Sequence, residues 1–270
     1  MKLKQASYPY LVWSGLFIVL PLLLIVYFAF TDMQGEFSMA NLVVSGKFSA
    51  VFVKSIWLAA VSTGLCFLIG YPVAYLMSRM RGINDQTLLL LMMLPMWMNF
   101  LLRTYAWMSL LENNGVLNQI LLHFGMSKIQ FINTQGAVVL GMVYNYIPFM
   151  ILPLHSIMVK IHNDVIEAAT DLGASPKDVF MKIILPMSKP GVKTGMIMVF
   201  VPAVSTFIIS QMLGGGANQL IGDIIEMQFL GNAYNPHLGS AISLVLMLLV
   251  LMCMSISGIL DEEGVEERLL

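Results

Sequence analysis

Long apolar runs, separated by short polar segments, dominate the sequence. A helix needs about 20 mostly apolar residues to cross a bilayer. Six stretches reach that length, and we predict that each is a transmembrane helix: residues 11–31, 53–78, 87–111, 136–158, 192–213 and 238–260. Five of the six contain an internal proline, which is tolerated where neighbouring helices or a water-filled cavity satisfy the freed carbonyl groups. The pattern therefore predicts an all-α membrane protein of transporter type rather than a simple anchor.

The longest polar interruption lies between the fourth and fifth predicted spans, and its pattern predicts a helix–turn–helix. Asp164 would cap the first helix, with Glu167 reaching back three residues later as in a capping box. Gly173 would end this helix, because glycine readily adopts the left-handed conformation of a C-terminal cap. Ser175 would cap the second helix, with Pro176 at its first position. We expect a folded element here, not a slack linker.

The distribution of lysine and arginine predicts the orientation of the chain, because cytoplasmic loops carry an excess of both residues. Ten of them fall on one side of the six spans: Lys2, Lys4, Arg79, Arg81, Lys160, Lys177, Lys182, Lys189, Lys193 and Arg268. Four fall on the other: Lys47, Lys54, Arg103 and Lys128. The six spans predict a single transmembrane domain, residues 1–270, and this imbalance predicts that both of its termini lie in the cytoplasm. It also predicts a cytoplasmic loop at 160–190, and the acidic tail at 261–270 would be solvated.

Composition supports a membrane protein and argues against other classes. The chain is 58% hydrophobic and 11% charged, whereas an ordinary globular domain carries about 25% charged residues. Its net charge of −1 argues against a nucleic-acid partner. Cys66 and Cys253 lie in separate apolar runs, so we predict neither a disulfide nor a metal site. The 23 methionines suit flexible gap filling between packed helices.

Catalytic motifs are absent from the sequence. It contains no G-x-x-x-x-G-K-[ST] phosphate loop, no H-E-x-x-H zinc motif and no G-x-S-x-G nucleophile elbow. The glycines at 214–216 lack the lysine of a phosphate loop, so we predict a flexible turn there. We therefore predict a non-catalytic chain without a cofactor or metal of its own, and any ATP chemistry would belong to a partner.

Two segments on the predicted outer side have helical spacing. Residues 113–124 would form a short helix along the outer surface. In residues 219–229, the polar face would contain Gln219, Gly222, Asp223 and Glu226, and the opposite face Leu220, Ile221, Ile224 and Ile225. Asp223 and Glu226 could together attract a cation at the outer mouth of a pathway, because acidic groups near a membrane are costly and often functional. The alternative is that they form a solvated face of a loop helix.

Aromatic and polar residues cluster in the third predicted span. Trp97, Asn99 and Tyr105 lie near Pro95, and aromatic faces attract alkylammonium groups. These three residues are therefore candidates for a substrate pathway. The alternative is the belt of aromatic residues that marks the ends of membrane helices.

The polar loop also matches a known pattern, E-A-A-x(3)-G-x(9)-I-x-L-P. The matching residues are Glu167, Ala168, Ala169, Gly173, Ile183, Leu185 and Pro186. The chain thereby resembles the binding-protein-dependent ABC importer permeases, whose EAA loop docks into a cleft on an ATPase subunit. The resemblance implies the type I permease fold and assigns these seven residues to ATPase coupling. We call residues 160–190 the coupling loop.

Further blocks of the sequence are similar to permeases of spermidine/putrescine importers, in particular to their B-type subunit. These blocks are Gly70-Tyr71-Pro72, residues 94–103, Tyr146-Ile147-Pro148-Phe149-Met150, and residues 213–230. The resemblance implies an inner-membrane subunit that pairs with a second permease and with two ATPase copies carrying ATP and Mg²⁺. It also implies a periplasmic binding protein that delivers a small cationic substrate.

Other functions remain open at this point. Permeases for opines, oxyanions or ferric iron share the same architecture. An ion-coupled secondary carrier is a different class, but it usually places ionisable groups at the midplane of broken spans. The deep spans of this chain carry almost none. A membrane-bound enzyme would need a catalytic set that the sequence lacks.

Overall fold

The computed structural model describes residues 8–80, 85–231 and 233–256. The regular elements in these ranges are all helices, which confirms the predicted all-α class. The predicted acidic tail, residues 257–260 of the sixth predicted span, and Lys2, Lys4, Arg81 and Arg268 lie outside the described residues.

We number the α-helices in chain order. They are α1 (Tyr8–Ser14), α2 (Leu20–Ala29), α3 (Ala40–Ser45), α4 (Ser49–Arg79), α5 (Asp85–Trp97), α6 (Phe100–Leu111), α7 (Val116–His123), α8 (Gln135–Met158), α9 (Asn163–Asp171), α10 (Pro176–Val179), α11 (Leu185–Met187), α12 (Lys189–Ser205), α13 (Ile221–Phe229) and α14 (Pro236–Ile256). Short π-helical segments at Gly15–Val19, Phe180–Ile184 and Ser210–Gly214 and 3₁₀ turns at Gly46–Phe48 and Gly216–Asn218 join some of them. The helix α7 confirms the short helix that we predicted within residues 113–124.

In the described part of the chain, four helices are long and apolar enough to cross a membrane. They are Pro9–Ala29, Ala40–Arg79, Gln135–Met158 and Pro236–Ser255. The third predicted span is broken, because Thr87–Trp97 and Phe100–His123 meet at 78°. The fifth, predicted over 192–213, is not one continuous helix, since α12 ends at Ser205 and Thr206 is extended, with ψ of 142°. The count of six spans stays a prediction.

The interruption after α12 has a packing reason. The carbonyl oxygens of Ser205 and Thr206 face Gly222, at the start of α13, so closely that a Cβ there would lie 2.5 Å from each. The turn at Thr206 thus brings α13 directly against the end of α12. Such a contact between residues 16 positions apart is invisible in the hydropathy pattern, which shows only one apolar run.

The centre of the protein is α8, which packs between α4 and α12. Met150 of α8 is fully buried. It lies between Gly70 of α4 and Gly195 of α12, where added Cβ atoms would approach its side chain to 3.1 Å and 2.8 Å. Gly191, one turn before Gly195, lies against Pro153 and Ile157. Such small-xxx-small spacing lets membrane helices approach closely.

Methionines fill this core as we predicted, since Met142, Met150 and Met158 of α8 are all fully buried. At the periphery, α2 and α3 pack against α14. Apart from the buried Ala29, the side chains of the first span are at least partly exposed. This helix therefore presents most of its apolar side chains to the surroundings of the chain. The helices α4, α8 and α12 therefore form the packed centre of the protein, and the first span lies at its edge.

Candidate functional site

The first helix of the coupling loop, α9, begins two residues earlier than the capping prediction requires. Its N-cap position is His162, which makes no side-chain cap hydrogen bond, and Asp164 lies within the first turn. The predicted capping box of Asp164 and Glu167 is therefore wrong. The reason is a distant contact: Arg79, at the end of α4, donates from Nη1 to the Ile161 carbonyl (2.9 Å) and to Asn163 Oδ1 (2.8 Å).

The corner at Gly173 is confirmed. Its φ is +86°, a left-handed conformation that glycine adopts without a steric penalty. The Gly173 amide donates to the Thr170 carbonyl (2.9 Å), and the Ala174 amide donates to the Ala169 carbonyl (3.0 Å). This pair of hydrogen bonds is a Schellman cap, and it ends α9 through contacts among near neighbours.

The second helix of the loop begins as predicted at Ser175, whose Oγ accepts a hydrogen bond from the Asp178 amide at 3.2 Å, and Pro176 occupies the first turn. Asp178 also pairs with Lys182 at 2.7 Å, one turn further on. The Lys182 ammonium and the Ser175 hydroxyl hold the pKa of the Asp178 carboxyl below its usual value. Local interactions therefore stabilise this arm as they do the corner.

The seven predicted coupling residues divide into an outward and an inward set. Glu167, Ala168, Gly173 and Pro186 are exposed, whereas Ala169, Ile183 and Leu185 are half-buried. Beside them, Leu172 is 90% exposed, and none of the residues of α9 is buried. The loop therefore presents an uncovered helix with apolar side chains, while its second arm packs back onto the bundle.

Contacts between the loop and α4 were not predicted from the sequence. Besides Arg79, the Tyr71 hydroxyl lies 2.8 Å from Ser188 Oγ, and the Phe180 ring packs edge-on against Tyr71 and Tyr75. In the sequence alone, Arg79 stands out only as a positive charge and Tyr71 only as part of a block similar to the permease family. The spacing of residues 71, 75 and 79, which places them on one face of a helix, was the available signal.

The second candidate region is the 206–229 segment, which contains the predicted acidic pair. Asp223 is 1% exposed, and its Oδ2 accepts a hydrogen bond from the Leu220 amide at 2.6 Å. Among the described residues, its Oδ1 has no hydrogen-bond partner. The alternative of a solvated face is therefore wrong for Asp223, because the helix start is buried on both of its predicted faces: Ile221, Gly222, Asp223 and Ile224.

Glu226 differs from Asp223. It is half-buried, and its Oε2 accepts a hydrogen bond from Gln211 Nε2 at 3.2 Å. It lies on the wall of a groove of about 650 Å³ between α12, α13 and α14. The other walls are mostly apolar and include Val201, Phe207, Phe229 and Met254. An elongated molecule with an apolar body and a cationic end would find complementary chemistry there.

The glycines at 214–216 form a turn that is hydrogen-bonded to other parts of the chain, and its flexibility stays a prediction. Asn218 Nδ2 donates to the carbonyls of Gly214 and Asn133, both at 2.9 Å. Lys54 Nζ donates to Asn218 Oδ1 at 3.2 Å. Distant parts of the chain thus hold this loop in place.

The aromatic candidates lie around the break between α5 and α6. Trp97 is 70% exposed, and Tyr105 and Asn99 are exposed as well. Asn99 has a structural task, because its Oδ1 accepts hydrogen bonds from the amides of Leu101 (2.9 Å) and Leu102 (3.4 Å) and so caps α6. Arg103, counted on the outer side in the sequence analysis, is only 7% exposed. It donates to the Pro95 carbonyl at 2.7 Å, across the break.

Possible metal ligands are not grouped: in residues 8–80, 85–231 and 233–256, no three His, Cys, Asp or Glu side chains come together to hold an ion. The features that the structure does assemble are the exposed loop helix, its ties to α4 and the groove beside Glu226.

Comparison with curated proteins gives relatives that match over most of both chains. The spermidine/putrescine transport system permease protein PotB of Haemophilus influenzae is 35% identical over 248 residues, covering 88% of this chain and 86% of that protein. PotB of Escherichia coli is 34% identical over 244 residues, covering 87% and 88%. The Escherichia coli inner membrane ABC transporter permease protein YdcU is 28% identical over 214 residues, covering 74% and 68%.

Solved structures share the fold at low sequence identity. A chain of a bacterial ABC transporter involved in import of the acidic polysaccharide alginate has a TM-score of 0.78 at 16% identity, covering 97% of this chain and 95% of that one. A chain of the MetNI methionine ABC transporter, in an inward-facing conformation, has a TM-score of 0.55 at 18% identity, covering 78% and 92%. These likenesses confirm the predicted permease fold.

The family profile described as "Binding-protein-dependent transport system inner membrane component" matches residues 67–262. That range contains the coupling loop, its ties to α4 and the groove beside Glu226. The chain belongs to this family of ABC transporter permeases.

Proposed function

We propose that this chain is a permease subunit of an ATP-driven importer of polyamines such as spermidine and putrescine. The observation that carries the proposal is the coupling loop, a self-capped helical corner that stands out from the bundle with α9 uncovered. The substrate class is supported by 34–35% identity, over most of both chains, to relatives named as spermidine/putrescine permeases.

The coupling loop is the docking site for a partner ATPase in this proposal. Glu167 and Ala168 are exposed, and the small Ala168 and Ala169 allow close approach of another surface. Gly173 sets the angle between the two arms. ATP and Mg²⁺ are bound by the ATPase, two copies of which serve this chain and a second, related permease, and no cofactor is held by this chain.

The proposed topology follows the lysine and arginine imbalance, with both termini and the coupling loop in the cytoplasm of a bacterium. A periplasmic binding protein delivers the substrate to the opposite face. Closure of the ATPase pair moves the coupling loops, the helices re-tilt, and the pathway between the two permeases opens outward. Hydrolysis of ATP resets them.

The substrate pathway includes the groove beside Glu226. An ammonium group would pair with the Glu226 carboxylate, while the methylene chain lies against Phe207 and Phe229, whose ring faces also attract cations. Trp97 and Tyr105, both exposed at the break after α5, are further contacts for the cation. Asp223 and Asn99 support the pathway indirectly, because each already accepts hydrogen bonds from helix-start amides.

Reconstitution of the whole transporter tests the proposal. The chain is co-purified with its ATPase, its second permease and its binding protein, and the complex is placed in liposomes. Uptake is then compared with and without ATP, and with and without the binding protein. We expect uptake of labelled spermidine or putrescine only with ATP and binding protein present, and competition by unlabelled polyamine but not by sulfate or an opine. Uptake without the ATPase would contradict the proposal, and competition by sulfate or an opine alone would contradict the substrate class.

A further inference from the structure

The two arms of the coupling loop are fastened to a helix that is not their neighbour in the sequence. The loop is covalently continuous with α8 and α12, so any movement of the loop reaches those helices. The helix α4 ends more than 80 residues before the loop begins, yet it contacts the loop at both its entry and its exit. Chain connectivity does not require these contacts, so we ask what they do for the loop.

At the entry, Arg79 makes the contact. Its Nη1 donates to the Ile161 carbonyl at 2.9 Å and to Asn163 Oδ1 at 2.8 Å. Among the described residues, both acceptors of this guanidinium belong to the start of the loop. Hydrogen bonds from a charged donor are shorter and stronger than neutral ones, so this contact joins the end of α4 to the first turn of α9.

At the exit, Tyr71 makes the contact. The Ser188 hydroxyl donates to the Leu185 carbonyl at 3.0 Å, so the hydrogen bond between Tyr71 and Ser188, 2.8 Å long, has Tyr71 as its donor. Both residues are buried. The Phe180 ring of the loop also contacts α4, with its centroid 5.8 Å from that of Tyr71 and 6.4 Å from that of Tyr75.

Positions 71, 75 and 79 form one stripe on α4, because residues four apart lie on the same face of a helix. The stripe is about 12 Å long at 1.5 Å per residue. The Arg79 guanidinium lies 5.8 Å from the centre of the Tyr75 ring. A single face of α4 therefore contacts the entry of the loop, its Phe180–Ile184 π-helical segment and its exit.

From α4 the route continues into the core. Gly70, next to Tyr71, is in close contact with Met150 of α8, and Met150 is also in close contact with Gly195 of α12. Tightly packed interiors transmit displacement rather than absorbing it. Movement of α4 along this face would reach the centre of the bundle through Met150.

We propose that Arg79 and Tyr71 are positioning residues that fasten the coupling loop to α4, so that the partner ATPase drives α4 together with α8 and α12. This rests on the proposed function, since it assigns a route to a force that only an ATPase partner supplies. Loss of either contact would uncouple ATP hydrolysis from transport while leaving the loop able to dock.

The test uses the complete transporter in liposomes and measures three quantities: recovery of the ATPase with the permease, binding-protein-stimulated ATP hydrolysis, and uptake of labelled polyamine. The variants are R79Q, R79K and Y71F. Matched controls are Y75F, which keeps the ring that contacts Phe180, and K128Q, which removes an exposed cation far from the loop in the chain.

For R79Q we expect normal recovery of the ATPase. The ratio of uptake to hydrolysis should fall about tenfold below wild type, a factor within the usual range for energetic coupling between two sites of a protein. R79K restores part of the ratio, because an ammonium keeps one charged donor. Y71F lowers the ratio by about threefold, a smaller factor because a neutral hydrogen bond is weaker. Y75F and K128Q match the wild type.

An unchanged ratio in R79Q and Y71F would overturn the inference, and so would loss of ATPase recovery, which would assign these residues to assembly instead. A wild-type transporter that moves no polyamine would contradict the proposed function rather than this inference. The two failures are therefore distinguishable.

Discussion

The coupling loop and the 206–229 segment are both interruptions in an apolar chain, but they are held in different ways. In the coupling loop, the hydrogen bonds that shape the corner join residues within five positions: Ala174 to Ala169, and Asp178 to Ser175. In the 206–229 segment, the Ile221 amide donates to Ser55 Oγ at 2.8 Å, across 166 positions. Asn218 reaches Asn133 across 85 positions.

This difference bears on what each region can do during transport. An element held by its own local contacts keeps its shape when the helices around it move, so it can pass on a force as a rigid unit. An element whose internal shape depends on distant contacts changes when those distant parts move. The contacts of the coupling loop with α4 attach the loop but do not form its corner. We therefore expect the coupling loop to act as the rigid part, and the 206–229 segment to respond to the positions of α4 and α8.

The largest effect is expected from G173V. A valine at φ of +86° is strained by roughly 1–2 kcal/mol, although a Cβ there meets nothing within 4 Å. The corner would open without damage to the bundle, so we expect membrane insertion to stay normal and polyamine uptake to fall by about tenfold or more. Uptake in liposomes and recovery from membranes measure the two quantities.

The control for this variant is G125V. Gly125 also has positive φ, +76°, and open space around it, but it ends α7 rather than the coupling loop. We expect its uptake to match the wild type. Equal losses in both variants would show that backbone strain, not the shape of the loop, is responsible.

The next effect is on stability, in the 206–229 segment. G222A places a Cβ against the carbonyl oxygens of Ser205 and Thr206, and overpacking of this kind costs about 2 kcal/mol. We expect a lower unfolding temperature in detergent, with G216A unchanged because its Cβ would meet nothing within 4 Å. A stable G222A would mean that α12 and α13 are free to separate.

A smaller effect is expected on substrate affinity from E226Q. Removal of a half-exposed carboxylate weakens pairing with an ammonium by about 1 kcal/mol, which raises KM roughly fivefold. Measurement of uptake against spermidine concentration tests this, with E112Q as the matched control at an exposed helix end. An unchanged KM in E226Q would remove the groove from the pathway.

The smallest effect is expected from S175A. Loss of an N-cap oxygen costs about 1 kcal/mol locally, which should speed amide hydrogen exchange in residues 176–182 and leave the rest of the protein unchanged. S175T keeps an acceptor and should preserve protection. Faster exchange outside residues 176–182 in S175A would contradict the view that this arm is held locally.

The coupling loop was the region most open to prediction. Gly173 and Ser175 were predicted correctly because a glycine C-cap and a serine N-cap act on neighbours within a few residues. The capping role of Asp164 was wrong because Arg79, far away in the sequence, binds the start of the helix. Asp223 was placed on a polar face by its spacing, yet packing buried both faces of the short helix.

The sequence by itself determined the helical class, the apolar lengths that require a membrane, and the capped corner at Gly173, because periodicity and capping depend on residues close together in the chain. The tertiary structure alone decided the break at Thr206, the burial of Asp223 and the attachment of the loop to α4 through Arg79 and Tyr71. Each of these depends on which distant groups meet, and that is set by how the helices pack.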